Sequence, residues 1–150
     1  MKYHVAIDLD LSRDKVIELF MNGENAYHWQ EGLESMHVIE GQPGEVGSKT
    51  ELHFKLGKRE ITLLETITHK DLPERFDGTY EMDGTWNLVQ NRFIELGPDR
   101  TRWEGDVEFK FKGFMKVMGW LMPGMFKKQS MKYLTNFKAF AEEGKSVAQS

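Results

Sequence analysis

Residues 126–141 read FKKQSMKYLTNFKAFA, and this stretch decides the fold because its large apolar side chains recur on one helical face. The positions on that face are Phe126, Ser130, Tyr133, Leu134, Phe137, Phe140 and Ala141. A helix with an apolar stripe of this kind has to bury it against another element. The sequence therefore predicts a long C-terminal helix that packs on the inner face of a sheet.

The segment from 33 to 112 supplies that sheet, because apolar and polar residues alternate there with a period of two. Turn signals interrupt the alternation at 41–44 (GQPG), 56–58 (LGK), 71–73 (DLP), 83–84 (DG) and 97–99 (GPD). Such spacing is typical of antiparallel strands joined by hairpins. With an alternating strand at residues 3–9, the chain is expected to form a curved antiparallel sheet of about seven strands.

Two short helices are predicted between the first strand and the hairpins. Ser12 can accept a hydrogen bond from the first turn of a helix that runs through Phe20. A shorter helix from Glu24 to Gln30 follows the Asn22-Gly23 break. The fold class is therefore α+β, with the helices after the first strand and at the C-terminus.

Pro123-Gly124 divides the C-terminal region, because proline lacks the N–H that an inner helical position donates. An apolar segment at 114–122 precedes this break, and we expect it to form a lid beside the main helix. The alternative is that Pro123 merely starts the main helix at its first turn, where its missing N–H costs nothing. The last six residues, 145–150, are mostly polar and are predicted to fray.

Composition narrows the possible functions. The 150 residues, 39% of them hydrophobic and 29% charged, are typical of one folded domain. The absence of cysteine excludes thiol nucleophiles, zinc-thiolate sites, iron–sulfur clusters and disulfides. A net charge of −4 argues against a nucleic-acid binder, which needs a basic face. Residues 1–8 turn acidic before an apolar run develops, so neither a signal peptide nor a membrane span is expected, and we predict a cytoplasmic protein.

Known catalytic and metal-binding motifs are missing from the sequence. The five histidines, at 4, 28, 37, 53 and 69, show no spacing such as H-E-x-x-H. There is no G-x-S-x-G elbow, and Gly41 to Gly47 enters a strand instead of opening a helix, unlike a phosphate-binding loop. No metal and no cofactor is therefore predicted.

The order of strand, two short helices, hairpin-linked strands and long terminal helix resembles the helix-grip superfamily. That superfamily includes the START domains, the birch-pollen allergens and the polyketide cyclase/dehydrase and lipid-transport proteins. The segments that carry the resemblance are 5–8 (VAID) with the Ser-capped helix, Trp29, 43–47 (PGEVG), 64–67 (LETI) and 134–138 (LTNFK). The resemblance implies a single START-like domain over residues 1–150, with a hydrophobic pocket for lipids, hormones or polyketides between sheet and helix.

Shared strand faces predict the lining of that pocket. We expect a continuous cavity lined by Phe54, Leu63, Tyr80, Trp103 and Met118. The full set of candidate ligand-binding residues is Phe54, Leu63, Glu65, Tyr80, Asn91, Trp103, Met118, Met122 and Phe126. The methionines of the terminal region either adapt to ligands of irregular shape or fill gaps between helix and sheet.

Glu65 is an unusual residue at its predicted place, because it lies in register with Leu63 and Ile67 on the inner face. A buried carboxylate has to be hydrogen-bonded, paired or protonated. Glu65 is then an acid or base, or an anchor for a ligand hydroxyl. The alternatives are a structural acid satisfied by Arg, Tyr or backbone, or a strand face assigned wrongly by one residue.

Binding or transport of a hydrophobic small molecule or lipid is the favoured function, because the pocket is rich in apolar groups and poor in convergent titratable ones. The alternative is a polyketide cyclase/dehydratase-like enzyme, with Glu65 as general acid/base and Tyr80 or Arg92 orienting a carbonyl. A third possibility is a protein-interaction role, which predicts a large exposed apolar patch.

Lysines form a local exception to the acidic balance, because 109–141 contains seven of them and no Asp or Glu. One interpretation is transient contact with an anionic membrane through Lys127, Lys128 and Lys132. The other is an ordinary solvated helix face.

Overall fold

A seven-stranded antiparallel sheet forms the larger part of the computed structural model, which describes residues 1–148. The strands are β1 (Lys2–Leu9), β2 (Leu33–Glu40), β3 (Lys49–Leu56), β4 (Arg59–Asp71), β5 (Arg75–Met82), β6 (Thr85–Gly97) and β7 (Arg100–Phe111). Their order is β1-β7-β6-β5-β4-β3-β2, so β2 to β7 follow one another as hairpins and β1 pairs with the last strand. The predicted antiparallel sheet of about seven strands is confirmed, with every turn where the sequence signals lie.

Four α-helices accompany the sheet: α1 (Arg13–Met21), α2 (Ala26–Trp29), α3 (Phe114–Leu121) and α4 (Pro123–Glu143). Ser12 caps α1 as predicted, because its hydroxyl accepts a 3.2 Å hydrogen bond from the backbone N–H of Lys15. The second predicted helix is shorter than expected. It begins as a 3₁₀ turn at Gly23–Asn25 and becomes α-helical only at Ala26.

The break between α3 and α4 lies at Met122, whose backbone is not helical. Pro123 is the first residue of α4, a position at which its missing N–H has no helical partner to lose. The predicted division of the C-terminal region is therefore confirmed. None of the helices within residues 1–148 is long and apolar enough to cross a membrane.

Phe137 is the centre of the main core and is fully buried. Its ring lies 5.4 Å from Trp29 and 5.1 Å from Trp103, both in edge-to-face geometry. Leu134 is the other buried residue of α4. The C-terminal half of α4 is thus fixed to the sheet, while the half nearer Pro123 buries no residue and lies over a cavity.

Two residues of the segment predicted to fray contact α2. Ser146 Oγ lies 2.8 Å from Nδ1 of His28, and the Val147 N–H donates a 3.0 Å hydrogen bond to the His28 carbonyl. Residues 149 and 150 of that segment lie outside the described residues.

Candidate functional site

A cavity of about 330 Å³ lies between the inner face of the sheet and the first half of α4. Strands β3 to β7 provide most of its wall, and Met115 of α3 and Tyr133 of α4 contribute from the helical side. The period-two alternation is the cause, because it points one apolar residue of every pair inward along each strand. The volume is within the range of natural small-molecule sites, at its lower end.

Six of the predicted ligand-binding residues line this cavity: Phe54, Leu63, Tyr80, Asn91, Trp103 and Phe126. They belong to six different elements, β3, β4, β5, β6, β7 and α4. The alternation along the strands and the stripe along α4 are thus sufficient to bring them together. Contact of these residues with a ligand stays a prediction.

Met118 and Met122 do not line the cavity, and Met115 takes the place predicted for Met118. Only the first turn of α3 reaches the cavity, because the next turn packs Gly119 against the ring of Phe111. Met122 follows the end of α3 and is 48% exposed. The predicted lining was therefore wrong for Met118, and ligand contact of Met122 stays a prediction that its place outside the lining does not support.

Arg92 lies on the outer face of the sheet and does not face the cavity. Its guanidinium donates to Asp106 Oδ2 at 2.6 Å and to Glu104 Oε2 at 3.1 Å. Both neighbours of Arg92 in the chain, Asn91 and Phe93, are buried on the inner face, so the pleat turns Arg92 outward. The alternative role of Arg92 in orienting a carbonyl is wrong for this reason.

Glu65 and Tyr80 are direct partners across β4 and β5 on the inner face. Tyr80 lines the cavity, whereas Glu65 does not. Burial raises the pKa of the Glu65 carboxyl, and the interaction with the Tyr80 hydroxyl opposes that rise. Burial also raises the pKa of Tyr80 well above its ordinary value, and the nearby charge of Glu65 adds to the effect. Glu65 thus lies on the predicted face, and the Tyr80 hydroxyl is a polar neighbour of its carboxyl.

Asn91 uses both polar atoms of its side chain inside the protein. Its amide nitrogen donates to the Phe76 carbonyl at 3.1 Å, and its oxygen accepts from the Trp103 indole at 2.9 Å. Asn91 therefore offers a ligand little hydrogen-bonding capacity, although it lines the cavity.

Thr85 and Asn87 of β6 are among the polar residues of the cavity wall that sequence reasoning missed. The Thr85 hydroxyl oxygen is buried and has no hydrogen-bond partner within residues 1–148. Asn87 donates its amide to the Glu108 carbonyl at 3.0 Å, which leaves its side-chain oxygen as an acceptor. Their spacing on β6 was the signal that they face the cavity, since residues 85, 87, 89 and 91 lie on the same face as the predicted site residue Asn91.

Solved structures with this architecture exist at low sequence identity. A conserved protein from Geobacillus kaustophilus aligns with a TM-score of 0.80 and 11% identity, over 97% of each chain. The Zhui aromatase/cyclase from Streptomyces sp. R1128 has a TM-score of 0.77 and 12% identity, over 95% of this chain and 93% of its own. A START superfamily protein from Mycobacterium smegmatis has a TM-score of 0.67 and 16% identity, over 95% and 94%.

This chain has the helix-grip fold. No protein-family model and no curated protein matches the sequence. At identities this low the similarity establishes the fold alone, so the activity has to be argued from the site.

Within residues 1–148, the helix-grip cavity brings together apolar walls, the phenol of Tyr80 with the Glu65 carboxyl as its neighbour, and a few amide and hydroxyl groups. No group of three His, Asp or Glu side chains in this part of the chain is placed to hold a metal ion. Such a site can enclose an apolar molecule and hydrogen-bond a single polar substituent.

Proposed function

We propose that this helix-grip protein binds a hydrophobic small molecule or lipid in its cavity. The observation that carries the proposal is the cavity of about 330 Å³, whose walls are mainly Leu, Val, Phe, Met and Trp side chains. Enclosing a ligand there removes apolar surface from water, which contributes about 25 cal/mol for each Å². Affinity of this kind depends on shape and buried area and needs no catalytic group.

The arrangement of titratable groups supports binding more than catalysis. Acid–base chemistry needs a group within hydrogen-bond reach of the reacting atom, with a second group to orient the substrate. Glu65 is instead the cross-strand partner of Tyr80 and does not line the cavity, and Arg92 lies on the outer face. Storage or transport of the bound molecule is the function that these positions favour.

An enzyme remains the second candidate because of one observation. Burial raises the pKa of Glu65 beside the phenol of Tyr80, and a buried carboxyl with a raised pKa is a candidate general acid or base. The architecture is shared with an aromatase/cyclase, the Zhui protein. In this version, Tyr80 contacts the substrate and Glu65 exchanges the proton through Tyr80.

The binding proposal is tested by filling the cavity. Native mass spectrometry of freshly purified protein is expected to show a retained apolar molecule, and a neutral fluorescent probe such as N-phenyl-1-naphthylamine should bind the emptied protein. Val89 lines the cavity, whereas Ile94 on the same strand is exposed. Val89→Trp should weaken probe binding by about tenfold or more, and Ile94→Trp should not. Equal affinities for both folded variants would contradict the proposal.

Contact with an anionic membrane is a narrower proposal that concerns the lysines of α4. Lys132 forms an ion pair with Glu31. Lys127 and Lys128 are exposed and form no ion pair within residues 1–148. We therefore assign this contact to Lys127 and Lys128. A cytoplasmic location stays a prediction.

A further inference from the structure

The outer side of α3 exposes an unusual amount of apolar surface. Phe114 is 74% exposed and Trp120 is 80% exposed. The α3 face, as we call it, consists of Phe114, Val117, Trp120, Leu121, Met122 and Met125. Contiguous apolar patches of this kind on a monomer mark a binding surface.

The position of α3 in the fold explains why these residues remain outside. The opposite side of the helix is occupied, because Met115 faces the cavity and Gly119 contacts the ring of Phe111. A short helix with apolar residues on two sides can bury only one side against this sheet. The other side is left to a partner.

Lysines flank the α3 face on both sides along the chain. Lys112, Lys116, Lys127 and Lys128 are all exposed and lie in the segment 109–141, which contains no Asp or Glu. The rest of the chain is acidic, since the protein as a whole carries a net charge of −4. The partner of the α3 face is therefore expected to be both apolar and anionic.

We propose that the α3 face docks on an anionic lipid bilayer. The negative potential of such a surface attracts lysines, and a tryptophan such as Trp120 prefers the boundary between headgroups and acyl chains. A second copy of this chain fits less well, because two faces flanked by lysines repel each other. Docking does not depend on the proposed ligand binding. One consequence of docking does depend on it: because Met115 of α3 lines the cavity, a ligand bound there would lie close to the bilayer.

Sedimentation with lipid vesicles tests the proposal on the intact protein. We expect binding to vesicles of phosphatidylcholine with phosphatidylglycerol, and binding about tenfold weaker to phosphatidylcholine alone or at high salt. The double variant Val117→Ser with Trp120→Ser should lose about tenfold or more in vesicle affinity. The matched control is Ile39→Ser with Val46→Ser, two exposed apolar residues elsewhere, which should bind like the unchanged protein.

The charge contribution is tested in the same assay. Lys127→Glu with Lys128→Glu should lower affinity for anionic vesicles, whereas Lys55→Glu with Lys58→Glu, in the β3–β4 hairpin, should have little effect. An equal loss of vesicle affinity in both lysine double variants, or no binding of the unchanged protein to anionic vesicles, would overturn the proposal. So would a stable dimer of the unchanged protein that the Val117 and Trp120 changes dissociate, because the α3 face would then be a self-association surface.

Failure of docking and failure of ligand binding are distinguishable. The naphthylamine probe is titrated without vesicles against the Val117 and Trp120 double variant, and its affinity should be unchanged because neither residue lines the cavity. If vesicles bind and the probe does not, the docking proposal stands and the proposed function fails. If the probe binds and vesicles do not, the proposed function stands and the docking proposal fails.

Discussion

The indole nitrogen of Trp103 donates a 2.9 Å hydrogen bond to the side-chain oxygen of Asn91, and both residues are buried. The same amide group donates to the Phe76 carbonyl on β5. Asn91 therefore holds the ring of Trp103 in the cavity wall and connects two neighbouring strands. This arrangement makes Asn91 a structural residue of the site.

Replacing Asn91 by Ala should lower the free energy of unfolding by about 2 kcal/mol or more, because the Trp103 N–H and the Phe76 carbonyl would stay buried without partners. Asn136→Ala is the control, since the amide nitrogen of Asn136 is buried and makes no hydrogen bond within residues 1–148. Its loss should leave stability unchanged or raise it, as alanine favours a helix. Urea denaturation measures both. Equal effects of the two changes would argue against a structural role for Asn91.

The pair Glu65 and Tyr80 predicts a pH dependence of stability. Burial raises the pKa of Glu65 above its ordinary value of 4.5, so the folded protein binds this proton more tightly than the unfolded chain does. Stability is then lost as pH rises from the unfolded pKa through the raised folded pKa. Glu65→Gln removes this loss. The stability of the variant relative to the unchanged protein should increase across that window and stay constant below it.

Thermal unfolding at a series of pH values measures this difference. Tyr80→Phe provides a second check, because the Tyr80 hydroxyl opposes the rise in the pKa of Glu65. Without that hydroxyl the pKa of Glu65 should rise further, and the loss of stability should extend to higher pH. A constant difference between Glu65→Gln and the unchanged protein at all pH values would show that burial does not shift this carboxyl.

Glu65→Gln also separates the two candidate functions. A binding protein obtains most of its affinity from buried apolar area, so the naphthylamine probe should bind the variant within about threefold of the unchanged protein. Retained molecules should be found in both by mass spectrometry. A loss of affinity by orders of magnitude would favour Glu65 as an anchor or as an acid–base group.

Much of the fold could be predicted because strand alternation is a local property. The pleat fixes the face of every residue on β3 to β7 once one position is known, and this is why Phe54, Leu63 and Tyr80 were placed correctly. The helix break at Pro123 could also be predicted, since proline is favoured in the first turn of a helix and disfavoured in later turns.

The errors concern features that depend on tertiary contacts. Met115 and Met118 lie on similar sides of α3, and only the packing of Gly119 on Phe111 decides which of them reaches the cavity. Arg92 is a different case, because it follows the inward-facing Asn91 on β6 and the alternation itself turns it outward, where Glu104 and Asp106 form ion pairs with it. Candidate side chains are therefore predicted less well than the strands that carry them.

Gly119 supplies the last prediction, which concerns the closure of the cavity by α3. A Cβ atom at this position would lie 2.6 Å from two ring carbons of Phe111. That ring cannot easily move away, because it stacks on Phe109 at 5.4 Å and contacts Phe126 at 5.1 Å. Gly119→Ala should thus push α3 off β7, although alanine favours a helix over glycine by about 1 kcal/mol. Gly124→Ala is the matched control, as no atom lies within 4 Å of its added carbon.

Hydrogen exchange measures the displacement. In the unchanged protein, amides of residues 114–121 should exchange faster than those of 133–140, because α3 has no buried residue whereas α4 buries Leu134 and Phe137. Adding the apolar probe should slow exchange in α3, since Met115 borders the space that the probe fills. Gly119→Ala should speed exchange in α3 by about tenfold and leave exchange in α4 unchanged. Gly124→Ala should leave exchange in both helices unchanged. Equal protection of both helices, unaffected by the probe or by Gly119→Ala, would mean that α3 is a fixed part of the wall and that ligands reach the cavity elsewhere.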